Sequence, residues 1–256
     1  MFDLFLTQTK ILENLGGMWI VTLLVFCRVL AFASTAPLIG HKSVSSLVRI
    51  GFSILLTLII FPNIEAVTEY PQGIKFIYLI VMNVFVGLLI GWMSNLVLEV
   101  GRAGGEVLDM QMGLNAATIF DPSSQTQSTI IGRFFDFLAL ALFVSVGGME
   151  KIIEGIYKSY NIFPIIIYEI NLTFDKVLRA TSDVIIIGFL IVSPIVIIIL
   201  VVDLILGIMS RAAPQINAFQ ISFSIKPSLG MVLLLVLLPT MLQILTKLFS
   251  APHRFF

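Results

Sequence analysis

FIYLIVMNVFVGLLIGWMSNLVL, residues 76–98, decides the fold. The stretch carries no charge from Phe76 to Leu98 and shows no strand-like alternation. It is long enough to cross the hydrocarbon core of a bilayer, which takes about 20 residues of helix. In that medium the backbone has to satisfy its own hydrogen bonds, so a helix is expected.

Further apolar runs lie on both sides. Upstream are Leu47 to Phe61, short for a span, and Trp19 to Ile39, interrupted by Arg28. Downstream, Glu99 to Thr129 is polar and reads as a loop. Ile130 to Gly147 is apolar but contains Arg133 and Asp136. Met149 to Asp183 interleaves charges with Ile, Phe and Tyr, as an amphipathic segment does. Val184 to Met209 is nearly all Ile, Val and Leu, broken by Pro194 and Asp203, and a polar loop from Ser210 to Pro227 leads to a last apolar run, Leu229 to Leu245. The pattern predicts an all-α integral membrane protein of about six hydrophobic helices plus an amphipathic stretch.

Composition agrees. Of the 256 residues, 58% are hydrophobic and 12% are charged, whereas a soluble domain carries about 25% charged residues. The polar surface is too small to clothe a globule. The formal net charge of +0 gives no basic patch for nucleic acid. Cys27 is the single cysteine, which excludes a disulfide within the chain. Met1 to Leu15 scatters Asp3, Lys10 and Glu13 among apolar residues and lacks the pattern of a cleaved signal. The first apolar run is therefore expected to stay in the mature chain.

Arg28, Arg133, Asp136 and Asp203 stand inside apolar runs, where charges are expensive and are functional candidates by default. Arg133 and Asp136, three apart, share a helical face and can pair. One reading is a proton or ion relay, as in a secondary transporter or ion channel; the other is a structural pairing that lets short, charged helices pack on protein instead of lipid. His41 and His253 have no ligand at metal-binding spacing. No phosphate loop, nucleophile elbow or dinucleotide turn occurs. Neither an enzyme nor a cofactor is expected.

The segment EVGRAGGEVLDMQMGLNAATIFDPSSQTQST, residues 99–129, is the informative one. Its glycines allow close backbone contact, Met110 and Met112 bring flexible apolar side chains, and Phe120, Asp121 and Pro122 mark a turn. Residues 103–125, AGGEVLDMQMGLNAATIFDPSSQ, closely resemble the export-gate subunits of the FliR family of flagellar type III secretion, which has injectisome counterparts. A second block, RAAPQINAFQISFSIKPSLG (211–230), matches in the family's order. So, more weakly, does the spacing of Arg28, Pro37, Gly40 and Arg49. The chain departs at Ser224, where the family usually has Pro, with Pro227 following Lys226 instead, and at Val44 and Ser45, which lack a common Pro.

The resemblance implies a FliP-like helical part over 1–183, with a pore-facing loop at about 103–129, followed by a FliQ-like helical hairpin over 184–256. It implies a bacterial inner-membrane location in the flagellar basal body and partners FliP and FliQ, with FlhB around the entrance and the FlhA ring below. Unfolded flagellar proteins would pass through the pore. Met110, Met112, Gly113, Phe120, Asp121 and Pro122 would plug it at rest, and Arg211, Gln215, Asn217 and Lys226 would form a cytoplasmic hairpin tip.

Overall fold

A computed structural model gives the architecture. It describes residues 2–41, 44–64, 73–114, 130–166, 174–215 and 217–250, with backbone alone for helix residues 2–17, 174–177, 180 and 250. The described residues form helices α1 (Phe2–Thr35), α2 (Ser46–Ile60), α3 (Ile74–Met112), α4 (Ile130–Ser145), α5 (Gly148–Ile162), α6 (Phe174–Ala212) and α7 (Ala218–Ser250). A short 3₁₀ turn, Phe61–Asn63, follows α2, where Pro62 cannot continue the hydrogen-bond ladder. Five of these helices are long and apolar enough to cross a membrane, or six if the α4–α5 pair makes one span. The expected helical membrane protein is what the chain forms, and α5 is the amphipathic stretch.

Two compact units result: Met1–Asn95 with Glu150–Leu172, and Leu96–Met149 with Thr173–Phe256. Helix α3 contributes to both.

In the first unit, α1 packs on α2 and on the first part of α3. The α3 contact is backbone-close because Gly87 and Gly91 lie one turn apart. A Cβ on Gly91 would stand 2.6 Å from the Phe32 carbonyl oxygen, the close approach that small residues allow in membranes.

Arg28 of α1 is fully buried and forms the polar centre of this unit. Its Nε donates to Asn83 Oδ1 at 2.9 Å. Nη1 donates to the Phe163 carbonyl at 2.8 Å and, at 3.5 Å, to that of Ser159. Nη2 donates to the Pro164 carbonyl at 3.2 Å. The Tyr160 ring covers the guanidinium at 4.4 Å. Asn83 in turn donates to the Leu79 and Ile165 carbonyls at 2.8 and 3.0 Å. A helix C-terminus carries unpaired carbonyls and partial negative charge. Arg28 thus answers the end of α5 with a cation and tethers it to α1 and α3. Arg49 acts in the same way on a smaller scale, donating to the Ile39, Gly40 and His41 carbonyls at 3.4–3.5 Å. The weak third block of sequence therefore holds turn-building residues.

In the second unit, α6 packs on α7 and α4 packs on α7. The part of α3 beyond Asn95 meets α4 through Gly101 and Gly105, and α6 through Gly104. A Cβ on Gly105 would stand 2.7 Å from Gly132 Cα, and one on Gly104 2.8 Å from the Gly188 carbonyl oxygen.

These contacts correct the reading of 99–129 as a loop, because residues 99–112 continue α3. Each glycine costs a helix about 1 kcal/mol against alanine. Here that cost is offset by the interhelical contact that only glycine permits, and Arg102 ties Glu99 and Glu106 across successive turns. The helix ends at Gly113, whose φ of 74° suits glycine. Gly113 N–H donates to the Met110 carbonyl and Leu114 N–H to that of Asp109, at 3.2 and 3.0 Å, a C-terminal cap of the Schellman kind.

The loop expected over Ser210 to Pro227 is also shorter than its polarity suggested, since α7 starts at Ala218. Asn217 caps it, its Oδ1 accepting from Gln220 N–H at 3.2 Å. Within α6, Pro194 deprives the Leu190 carbonyl of its donor, and the Ser193 hydroxyl supplies one at 2.9 Å.

Removing the Arg28 guanidinium leaves buried carbonyls and Asn83 Oδ1 without donors. Arg28→Met is expected to destabilise the protein by about 1–3 kcal/mol for each buried acceptor left without a donor, read as loss of the folded chain from membranes. Arg28→Lys keeps the charge and is expected to cost less. Wild-type levels of Arg28→Met would show that the buried cation is dispensable.

Candidate functional site

The expected plug residues divide between described and undescribed positions. Met110, Met112 and Gly113 lie at the end of α3; Phe120, Asp121 and Pro122 fall outside the described residues. Met110 is 69% exposed, whereas Met112 is fully buried. The Met112 thioether fills the space beside Gly230 of α7, where a Cβ would stand 2.7 Å from its sulfur. Unbranched Met suits such an irregular gap. The two methionines therefore differ: one is a packing key, and the other is presented at the surface.

The residue that organises this place is Asp109, which the sequence reading did not single out. It is fully buried, and its Oδ2 accepts from the N–H groups of Ile131 and Gly132 at 2.8 and 2.9 Å. Those donors belong to the first turn of α4, where N–H groups lack intrahelical acceptors and an anion is favoured. Oδ1 has no hydrogen-bond partner among the described residues. Together with the Gly105–Gly132 contact, Asp109 clamps the end of α3 to the start of α4. The chain thus leaves at Leu114 and returns at Ile130 from one fixed stem. An acid between apolar Leu108 and Met110 was the one signal for it.

The intramembrane charges also acquire partners or places. Asp203 of α6 forms an ion pair with Lys226 of α7, and the Lys226 side chain is mostly buried. Lys226 lies within α7, about two turns past the helix start. The tip itself holds Arg211 in the last turn of α6, Gln215 in the turn and Asn217 as the cap, all exposed. Arg133 and Asp136 are exposed on α4, and Arg28 belongs to the carbonyl cage of the first unit. Among the described residues no cluster of His, Cys, Asp and Glu has the makings of a metal site.

The geometry is that of an apolar helical assembly with an anchored connection between α3 and α4. Comparison with known proteins agrees. Residues 19–251 match the model of the bacterial export proteins, family 1. The flagellar biosynthetic protein FliR of Bacillus subtilis (strain 168) is 30% identical over 232 residues, covering 89% of this chain and 90% of that protein. FliR of Escherichia coli (strain K12) is 31% identical over 225 residues, or 87% and 86% of the two chains. The surface presentation of antigens protein SpaR of Shigella flexneri is 26% identical over 234 residues, 91% and 90% of the two. The chain belongs to family 1 of the bacterial export proteins, as a multi-pass membrane component of a type III export apparatus.

Proposed function

We propose that the chain is the FliR-type subunit of the flagellar export gate, joining FliP and FliQ in the bacterial inner membrane to form the pore for unfolded flagellar proteins. In this reading the segment Gly113 to Gln127 seals the resting pore. FlhB and FlhA stand at the entrance, and no residue of this chain is catalytic.

The observation that carries the reading is the anchored stem. A protein-conducting channel must pass varied unfolded chains without leaking ions, so its seal has to move while its base stays fixed. Asp109, capping α4 from the end of α3, supplies a fixed base, and the Gly113 turn directs the chain away from it. The apolar surface supports partnership. Trp19, Leu47, Ile74, Ile185, Leu204 and Val236 are exposed on five different helices, apolar surface that lipid and partner subunits would cover. The FliP-like and FliQ-like parts divide at residue 183/184 in this reading, and the α6–α7 hairpin corresponds to the second.

Use in an injectisome is the second reading, since SpaR also aligns along most of its length. The higher identity to FliR proteins favours the flagellar system. A transporter or ion-channel reading would rest on Asp203, which is ion-paired with Lys226, or on Arg133 with Asp136.

Three outcomes are expected. Co-expression with FliP and FliQ should give one large complex in detergent, whereas the chain alone should aggregate or be degraded; a stable, high-yield monomer would contradict the reading. Deleting residues 115–125 should leave the complex assembled but make cells leak ions or small solutes, measured as loss of membrane potential. An assembled complex as tight as wild type would remove the seal. Finally, a cysteine placed at exposed Gln220 should react with a membrane-impermeant maleimide only from the cytoplasmic side. Labelling from the periplasm alone would invert the proposed hairpin.

A further inference from the structure

The last turn of α3 is held from two sides. Asp109 ties it to the first turn of α4. Three residues on, Met112 meets α7: it is fully buried, and its side chain lies against Gly230, which is buried too. A Cβ on Gly230 would stand 2.7 Å from the Met112 sulfur and 2.8 Å from its Cγ, and would also meet the terminal methyl. Both the far end and the root of the side chain are then in the way. Rotation of the outer bonds alone does not clear such a Cβ, so the end of α3 itself has to shift. Close-packed interiors pass on displacements of this kind because they hold little free space.

Gly230 is in turn placed by the hairpin. It stands four residues, about one turn, beyond Lys226 on α7, and Lys226 forms the ion pair with Asp203 of α6. Residues four apart share a helical face. The ion pair fixes α6 against α7, and one turn away the methionine contact fixes α7 against the end of α3. Gly113, with its φ of 74°, follows Met112 directly. The chain therefore leaves α3 from the residue next to this contact.

Resting on the export-gate reading above, we propose that Met112 seated against Gly230 is the strut through which the α6–α7 hairpin holds the seal closed. Met112 and Gly230 are thus positioning residues for the gate. The tightness of the resting pore depends on where α7 stands, although α7 lies more than ninety positions along the chain from the sealing segment. Only glycine at 230 leaves room for the thioether, and an unbranched side chain at 112 fits the narrow notch.

The test uses the intact co-expressed complex and the membrane potential of cells that carry it. Gly230→Ala should leave the complex assembled and raise the ion leak about fivefold or more, the order expected for one overpacked methyl. Adding Met112→Ala, which removes the atoms that the new methyl meets, should bring the leak back toward wild type. An assembled Gly230→Ala complex as tight as wild type, or a leak that Met112→Ala does not reduce, would overturn the inference. If Gly230→Ala does not assemble, the double variant has to restore both assembly and tightness, and its failure to do so overturns the inference as well. The 115–125 deletion is the reference. When it leaks and Gly230→Ala does not, the seal stands and the strut falls; when the deletion itself stays tight, the seal reading falls and the strut with it.

Discussion

A helix of 39 residues is about 58 Å long, and the hydrocarbon core of a bilayer is about 30 Å thick. The uncharged stretch of helix α3 alone is long enough for that thickness. In the export-gate reading the rest of α3 lies outside lipid. The uncharged stretch 76–98 fits the membrane; the polar, glycine-rich remainder needs something else to pack on. Within the chain, α4 and α6 provide part of that packing through glycine contacts. The rest of the surface is left for lipid and for other subunits of the apparatus.

Charge is managed by the same economy. Arg28 has its positive charge spread over backbone carbonyls, an amide and an aromatic face, with no carboxylate among its hydrogen-bond acceptors. Asp109 is the mirror case, an anion held by backbone N–H groups at a helix start. Both use helix ends, whose partial charges lie ready wherever a helix stops inside protein. Asp203 and Lys226 instead neutralise each other across the α6–α7 hairpin. None of these three arrangements needs a moving proton, and each joins segments that the apolar contacts alone would leave free to slide.

How much of this was legible in the sequence depends on the range of the forces. Stretch 76–98 announced a helix because its signal is local and continuous. The amphipathic character of α5 was legible for the same reason. Residues 99–112 misled, because glycine and charge usually mark a loop, and what keeps them helical is contact with α4 and α6. The partners of Arg28 are 55 to 136 positions away in the chain, beyond any periodicity argument. Asp109 went unnoticed since the N–H groups that hold it lie 22 and 23 positions further along the chain. The family blocks marked the right region without revealing which residue anchors it.

The central claim is that the length of α3 beyond the membrane is enclosed by protein and carries the anchored connection of an export pore. A single-particle map of the complex extracted from native membranes tests it most directly. The account predicts subunit density all round residues 99–112, with the lipid or detergent belt confined to the level of 76–98 and the 115–129 segment facing the central lumen. A belt enclosing residues 99–112, or a lumen reached by no part of this chain, would contradict it.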